Sequence, residues 1–111
     1  MDINFETHSS GHGYHAKVVT KSGNLLLSIV AGAYFYSEPR EDLDNSSEYT
    51  AVELAIFDVK TNTWATKKQM APAFTIIGQG EHEYNSSLTE PSNGVWGWVP
   101  VEKIAELYEA L

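Results

Sequence analysis

The sequence contains no cysteine and few basic residues, and both absences limit what the chain can do. Without cysteine there can be no disulfide, no thiol nucleophile and no zinc site built on thiolates. Seven lysines and arginines stand against fifteen aspartates and glutamates, which gives a formal net charge of −8. Nucleic-acid binding needs cations that displace counterions from phosphates, so the composition argues against direct contact with nucleic acid.

Long apolar runs and a leader are also missing. The longest apolar stretch, residues 25–36, is interrupted by Ser28 and Gly32. It is also shorter than the roughly 20 residues that span a bilayer. The N-terminus has no basic region followed by an apolar run, so we expect no secretory signal. These features predict a cytoplasmic protein with no membrane partner.

The chain is long enough for one domain with its own core. It has 111 residues, of which 42% are hydrophobic, and domains near this length bury most of the surface that the unfolded chain exposes. We therefore predict a single domain over residues 1–111, with residues 1–12 extended or loosely ordered.

The hydrophobic pattern predicts an α+β fold with a small antiparallel sheet of about five strands. We place strands at residues 14–20, 25–36, 49–59, 63–66 and 95–99. The sequence KSGN at 21–24 is suited to a hairpin turn, because glycine and asparagine tolerate positive φ. We also expect a short strand at 73–77, mostly loop at 78–94, and Trp96 and Trp98 on one face of the last strand.

A C-terminal helix is predicted to pack on this sheet. Ile104, Leu107, Tyr108 and Leu111 recur at the spacing of one helical face. Pro100 suits the first turn of such a helix, where a backbone N–H has no intrahelical acceptor.

The negative charge is concentrated in one part of the chain. Residues 38–58 hold seven acids against Arg40, a net charge of −6, whereas residues 59–68 hold three lysines and no acid. An acidic surface favours basic partners, among them proteins that themselves bind nucleic acid. The alternative is that these acids only keep a small domain in solution.

The acidic stretch and its aromatic neighbours form the predicted contact surface. Its candidate residues are Glu38, Glu41, Asp42, Asp44 and Glu48, with Tyr34, Tyr36 and Tyr49 as adjacent anchors. We interpret the chain as a non-enzymatic protein that acts through protein–protein contact and needs no cofactor. Its partner would be a basic host protein or a nucleoprotein complex.

The histidines offer an alternative function, a metal or small-ligand module. The candidate ligands are His8, His12, His15 and His82. His8 and His12 have helical spacing, but the Ser-Ser-Gly between them disfavours a helix, so solvated or locally bonded imidazoles are expected. A calcium loop beginning at Asp42 fails because Ser47 occupies the position that requires glycine.

Two segments resemble known families. Residues 33–44, AYFYSEPREDLD, resemble the opening motif of SH3 domains, and residues 97–101, GWVPV, are similar to their closing motif. That resemblance implies a groove for proline-rich peptides built from Tyr34, Tyr36, Trp64 and Pro100.

Through residues 48–58 and 97–107, the chain resembles small accessory proteins of bacteriophages and prophages. Such proteins are short, acidic and poor in cysteine, and several inhibit host defence complexes by covering their nucleic-acid sites. This resemblance implies an anti-CRISPR-like or other anti-defence inhibitor that acts in the host cytoplasm.

Overall fold

A computed structural model describes residues 3–66, 68–77 and 95–111 of the chain. Its elements are β1 (Glu6–Thr7), β2 (Tyr14–Val19), β3 (Leu25–Ala31), a 3-10 helix (Ser46–Glu48), β4 (Ala51–Asp58), β5 (Thr63–Trp64), α1 (Ala71–Ile77), β6 (Trp96–Pro100) and α2 (Val101–Ala110). The predicted α+β fold with an antiparallel sheet and a C-terminal helix is confirmed. Residues 78–94, predicted to be mostly loop, lie outside the described residues.

The sheet is built around the hairpin of β2 and β3. The N–H of Thr20 donates to the carbonyl of Leu25 over 2.9 Å, and Gly23 takes a φ of +82° in the turn. That φ lies in the left-handed region, which glycine adopts without a Cβ clash, so the predicted turn at 21–24 is confirmed. The strand order is β1-β2-β3-β4-β5, and β6 also pairs with β4.

One face of the sheet carries the core, because alternate residues of a strand point to the same side. Leu27 of β3 pairs with Ile56 of β4, and both side chains are buried together with Ile104 and Leu107 of α2. Each fully buried side chain of this size contributes about 1.5–3 kcal/mol, so this layer is the main source of stability. Neither α1 nor α2, the helices of the described residues, has the length and apolar character needed to cross a membrane.

Residues 73–77 lie in the helix α1 and not in a strand, so that prediction is wrong. Ala73 and Ile77 are both buried, and a spacing of four residues places them on one face of a helix. Pro72 sits in the first turn, where proline removes no intrahelical hydrogen bond. The β-branched residues of this segment favour a strand, but the packing of one helical face outweighs that weak preference.

The strand β6 contains a bulge. Trp96 pairs with Leu54 and Val99 pairs with Val52, so β6 has one residue more than β4 between the two pairs. Trp98 lies in this bulge and takes a φ of +53°. An extra residue of this kind interrupts the alternation of side chains between the two faces of a sheet.

The bulge separates the two indoles of β6. Trp96 is fully buried and packs on Phe74 of α1, with 5.5 Å between ring centroids. Trp98 is half-buried and contacts Tyr36 at 4.9 Å, outside the core cluster. The prediction that both indoles share one face of the strand is therefore wrong.

The N-terminal lead, predicted to be extended or loosely ordered, contains a short strand. Glu6 and Thr7 form β1 and pair with His15 and Tyr14 of β2. The turn that follows is closed by a 2.9 Å hydrogen bond from the N–H of His8 to a backbone carbonyl. The first strand therefore begins within residues 1–12.

Two glycines allow the end of β3 to approach the start of β2. Gly13 and Gly32 take φ values of +71° and +146°. A Cβ on Gly32 would lie 2.8 Å from the Cα of Gly13, and a Cβ on Gly13 would collide with the carbonyl oxygen of Ala31. The chain turns away from the sheet at this contact, so β3 ends at Ala31 and does not continue to residue 36 as predicted.

Gly13→Ala tests this contact against a matched control. Gly23→Ala places alanine at a similar φ of +82° with nothing within 4 Å of the new Cβ. The control should cost about 1–2 kcal/mol in free energy of unfolding, the ordinary penalty of a left-handed residue. Gly13→Ala should cost at least about 2 kcal/mol more, because a backbone oxygen must also move. Equal losses in urea denaturation would contradict the close approach.

Candidate functional site

The acidic loop, residues 37–48, is attached to the sheet at its first residues. Ser37 is buried, and its Oγ accepts a 3.0 Å hydrogen bond from the N–H of Gly32. The N–H of Glu38 donates to the carbonyl of Ala51, and its carbonyl accepts from the N–H of Thr50 at 2.8 Å. The loop therefore starts as an extra bridge on the edge of β4.

Two tyrosine hydroxyls form hydrogen bonds with the backbone in the middle of the acidic loop. The hydroxyl of Tyr49 donates to the carbonyl of Glu41 and accepts from the N–H of Leu43 at 3.1 Å. The hydroxyl of Tyr14 donates to the carbonyl of Leu43 at 2.7 Å. Tyr49 is only 3% exposed, so its ring supports the loop and does not present a surface to a partner.

Asp42 connects the acidic loop to two neighbouring turns. Its Oδ1 accepts a 2.9 Å hydrogen bond from the N–H of Ala33, and its Oδ2 lies 3.1 Å from Nδ1 of His12. The hydrogen bond from Ala33 and then the interaction with His12 lower the pKa of Asp42. A lowered carboxyl pKa means that this contribution to stability is present above the ordinary value of 3.8 and is lost as the pH falls.

The remaining carboxylates of the acidic loop project into solvent. They belong to Glu38, Glu41, Asp44 and Glu48, and all four residues are exposed. Within the described residues none of them forms an ion pair, whereas lysines elsewhere pair with Glu106 and Glu109 of α2. The loop thus displays several unneutralised charges on a backbone that is fixed at several points.

An aromatic flank lies beside the acidic loop, and it consists of Tyr36, Arg40, Glu53 and Trp98. The guanidinium carbon of Arg40 lies 4.6 Å from the centroid of the Tyr36 ring, and that ring also contacts the indole of Trp98. The N–H of Tyr36 donates to a carboxylate oxygen of Glu53 at 3.2 Å. Burial raises the pKa of Glu53, while that hydrogen bond and the charge of Arg40 act in the opposite direction.

Tyr34 stands apart from this flank. It is 68% exposed, and its ring packs against that of His12 in a T-shaped arrangement with 5.1 Å between centroids. Of the three predicted aromatic anchors, Tyr34 is open to solvent, Tyr36 is half-buried in the flank and Tyr49 is interior.

The described histidines do not converge on one point. His8 packs on Phe35 at 5.0 Å and on His15 at 5.9 Å between ring centroids. His12 instead bonds Asp42, and His15 lies 3.5 Å from a carboxylate oxygen of Glu6. Among residues 3–66, 68–77 and 95–111, no three histidines or acids are grouped as metal ligands. The fourth candidate ligand, His82, lies outside the described residues.

The residues of the SH3-like groove are not brought together. Trp64 stacks on Phe57 at 4.7 Å, whereas Tyr36 lies by Glu53, four residues or about 13 Å away along β4. Pro100 ends β6 and precedes the first turn of α2. In the described part of the chain the strands form an open sheet and not a five-stranded barrel.

The aromatic flank is the part of the site that the sequence did not indicate. The positive φ of Trp98 directs its indole towards Tyr36, and no local pattern predicts a bulge at that residue. One signal was present, since Arg40 is the single cation among residues 38–58.

Tyr49→Phe should loosen the acidic loop. The change removes a hydroxyl that bonds two backbone groups, so we expect a loss of about 1–2 kcal/mol in free energy of unfolding. It should also speed hydrogen exchange at the amide of Leu43. Tyr34→Phe makes the same chemical change at an exposed ring and should stay within about 0.5 kcal/mol of the parent. Similar losses in the two variants would show that the loop does not depend on Tyr49.

Glu53→Gln should stabilise the protein at pH 7. The raised pKa of Glu53 means that the folded state favours the protonated carboxyl, and that advantage is lost as the pH rises through the raised value. Glutamine keeps an acceptor for Tyr36 without the buried charge. The gain should vanish below pH 4.5, the ordinary pKa of the group, when unfolding is measured across pH. A variant less stable than the parent at pH 7 would refute this account.

Comparison with known proteins gives no relative, because no protein-family model, curated protein or solved structure matches the chain. What the chain does must be inferred from its own surface.

Proposed function

We propose that the chain is a non-enzymatic binding protein whose acidic loop contacts a basic surface of a protein partner. The observation that carries this proposal is the combination of exposed carboxylates, unpaired among the described residues, with a backbone that the sheet and two tyrosine hydroxyls hold in place. A fixed loop loses little conformational entropy on binding, so more of its electrostatic attraction appears as affinity. Charges displayed in this way also steer a basic partner towards the loop.

The location of the ion pairs supports the choice of this loop. Within the described residues, the lysines that form ion pairs do so away from the acidic loop. Lys21 and Lys103 pair with acids of α2, at the C-terminal end of the chain. In the part of the chain that the structure describes, no lysine or arginine pairs with Glu38, Glu41, Asp44 or Glu48, which leaves these charges available to a basic partner.

A more specific form of the proposal is a phage-type inhibitor in the cytoplasm of a host. Carboxylates strung along a loop resemble a phosphate backbone in charge, so such a loop suits the groove of a nucleic-acid-binding complex. The acidic composition and the resemblance to phage accessory proteins support this form. The partner would be the basic protein surface itself, with no direct contact between the chain and nucleic acid or membrane.

The coarse proposal is tested by charge neutralisation at two places. The loop variant is Glu41→Gln, Asp44→Asn and Glu48→Gln, and the control is Glu102→Gln, Glu106→Gln and Glu109→Gln on α2. Each removes three charges from −8, leaving −5. Against a lysine-rich peptide, the loop variant should bind at least tenfold more weakly and show a smaller salt dependence. The α2 control should change affinity less than about threefold.

Equal effects in the two variants would mean that the peptide senses only net charge, and the proposal would fall. The inhibitor form is tested separately, by displacement of a labelled DNA duplex from CRISPR effector complexes. Displacement by the parent protein and not by the loop variant supports it, whereas binding of the protein beside retained DNA contradicts it.

A further inference from the structure

Arg40 is unusual among the charged residues of this surface. It is exposed and lies in the most acidic segment of the chain, yet in the described residues it forms neither a hydrogen bond nor an ion pair. Its guanidinium instead lies over the ring of Tyr36. An arginine among carboxylates would ordinarily pair with one of them, so the stacked position leaves its N–H donors unused.

Tyr36, whose ring lies under the Arg40 guanidinium, is held through both its backbone N–H and its backbone carbonyl. The N–H of Trp98 donates to the carbonyl of Tyr36 at 2.9 Å, and the N–H of Tyr36 donates to Glu53. Two residues later, Glu38 is bonded to β4 through both its N–H and its carbonyl. The short segment from Tyr36 to Arg40 is therefore anchored before the guanidinium meets any ligand.

Stacking and hydrogen bonding use different parts of a guanidinium. The flat face rests on an aromatic ring, while the five N–H donors point outward in the plane and match two oxygens of a carboxylate or phosphate. Arginine, tyrosine and tryptophan are also the residues that most often dominate the energy of protein interfaces. The aromatic flank thus has the composition and geometry of an anchor for one oxyanion.

We propose that Arg40 binds a carboxylate of the partner protein, one that stands among the lysines and arginines which face the acidic loop. This inference rests on the proposed function and adds a specificity element to it. The net charge of −6 over residues 38–58 repels a free anion or a nucleic-acid strand. A carboxylate on an otherwise basic protein surface avoids that repulsion, because its neighbours neutralise the loop as it arrives.

A structural role for Arg40 gives a different expectation. Its charge acts on the half-buried carboxyl of Glu53, where it opposes the rise in pKa that burial causes. If this were its whole role, replacing Arg40 would change stability and leave the choice of ligand unaltered.

Two peptides distinguish these roles. Both are lysine-rich and identical except at one central position, which is glutamate in the first and glutamine in the second. The glutamine peptide is more positive by one charge, so simple attraction to the acidic loop makes it the tighter ligand. The proposal predicts the reverse, with the parent protein binding the glutamate peptide about threefold to tenfold more tightly.

Variants of Arg40 complete the test. Arg40→Gln should abolish the preference for the glutamate peptide, and Arg40→Lys should keep at most a small part of it, because lysine retains the charge but not the planar fork. The Nε–Hε resonance of Arg40 should shift in NMR spectra on adding the glutamate peptide and not the glutamine peptide. Thermal unfolding of each variant confirms that the fold is intact.

The outcomes separate the two proposals. If neither peptide binds, or if the loop variant binds both as well as the parent, the proposed function fails and the role of Arg40 fails with it. If both peptides bind through the acidic loop but the parent favours glutamine, or Arg40→Gln keeps the preference for glutamate, only the role of Arg40 is overturned. Acetate or inorganic phosphate that binds at Arg40 as tightly as the glutamate peptide would also overturn it, since the acceptor would then need no partner.

Discussion

The hydroxyl of Tyr49 fixes the middle of the acidic loop, because it bonds the backbone at Glu41 and Leu43, where no strand of the described residues provides partners. Most side chains of this segment are charged or polar, although Leu43 packs against the core. The segment is held by polar groups that emerge from the core side of the sheet, with Tyr14 reinforcing Tyr49. The sheet therefore supports both the hydrophobic core and the charged loop.

Much of the fold follows from short-range patterns in the sequence. The alternation over β4 and the helical spacing from Ile104 to Leu107 each specify one buried face, so both elements were predicted. The sequence pattern gave wrong predictions where tertiary contacts determine the secondary structure. Residues 73–77 have strand-like side chains, but the burial of Ala73 and Ile77 selects a helix. The end of β3 depends on a contact with Gly13, which is distant in sequence.

The candidate site shows the same division. The acidity and exposure of the loop follow from composition, because charged segments stay in solvent. The exposure of Tyr34 did not follow, since residue 34 was predicted to lie in a strand and β3 ends at Ala31. The interior position of Tyr49 did not follow, since a tyrosine beside a polar loop is equally compatible with an exposed anchor. The aromatic flank could not be predicted for another reason. It requires the bulge at Trp98, and a bulge depends on how two strands pair, which the sequence of one strand does not specify.

The attachment of Glu38 to the edge of β4 has a kinetic consequence. A loop that is already in its binding shape does not need to search conformations after an encounter, so association becomes a single step limited by diffusion and orientation. The rate of that step is then governed by long-range attraction, and added salt slows the arrival of a partner more than it hastens its departure. Under the proposed function, speed of arrival is therefore the quantity that a rigid acidic loop improves.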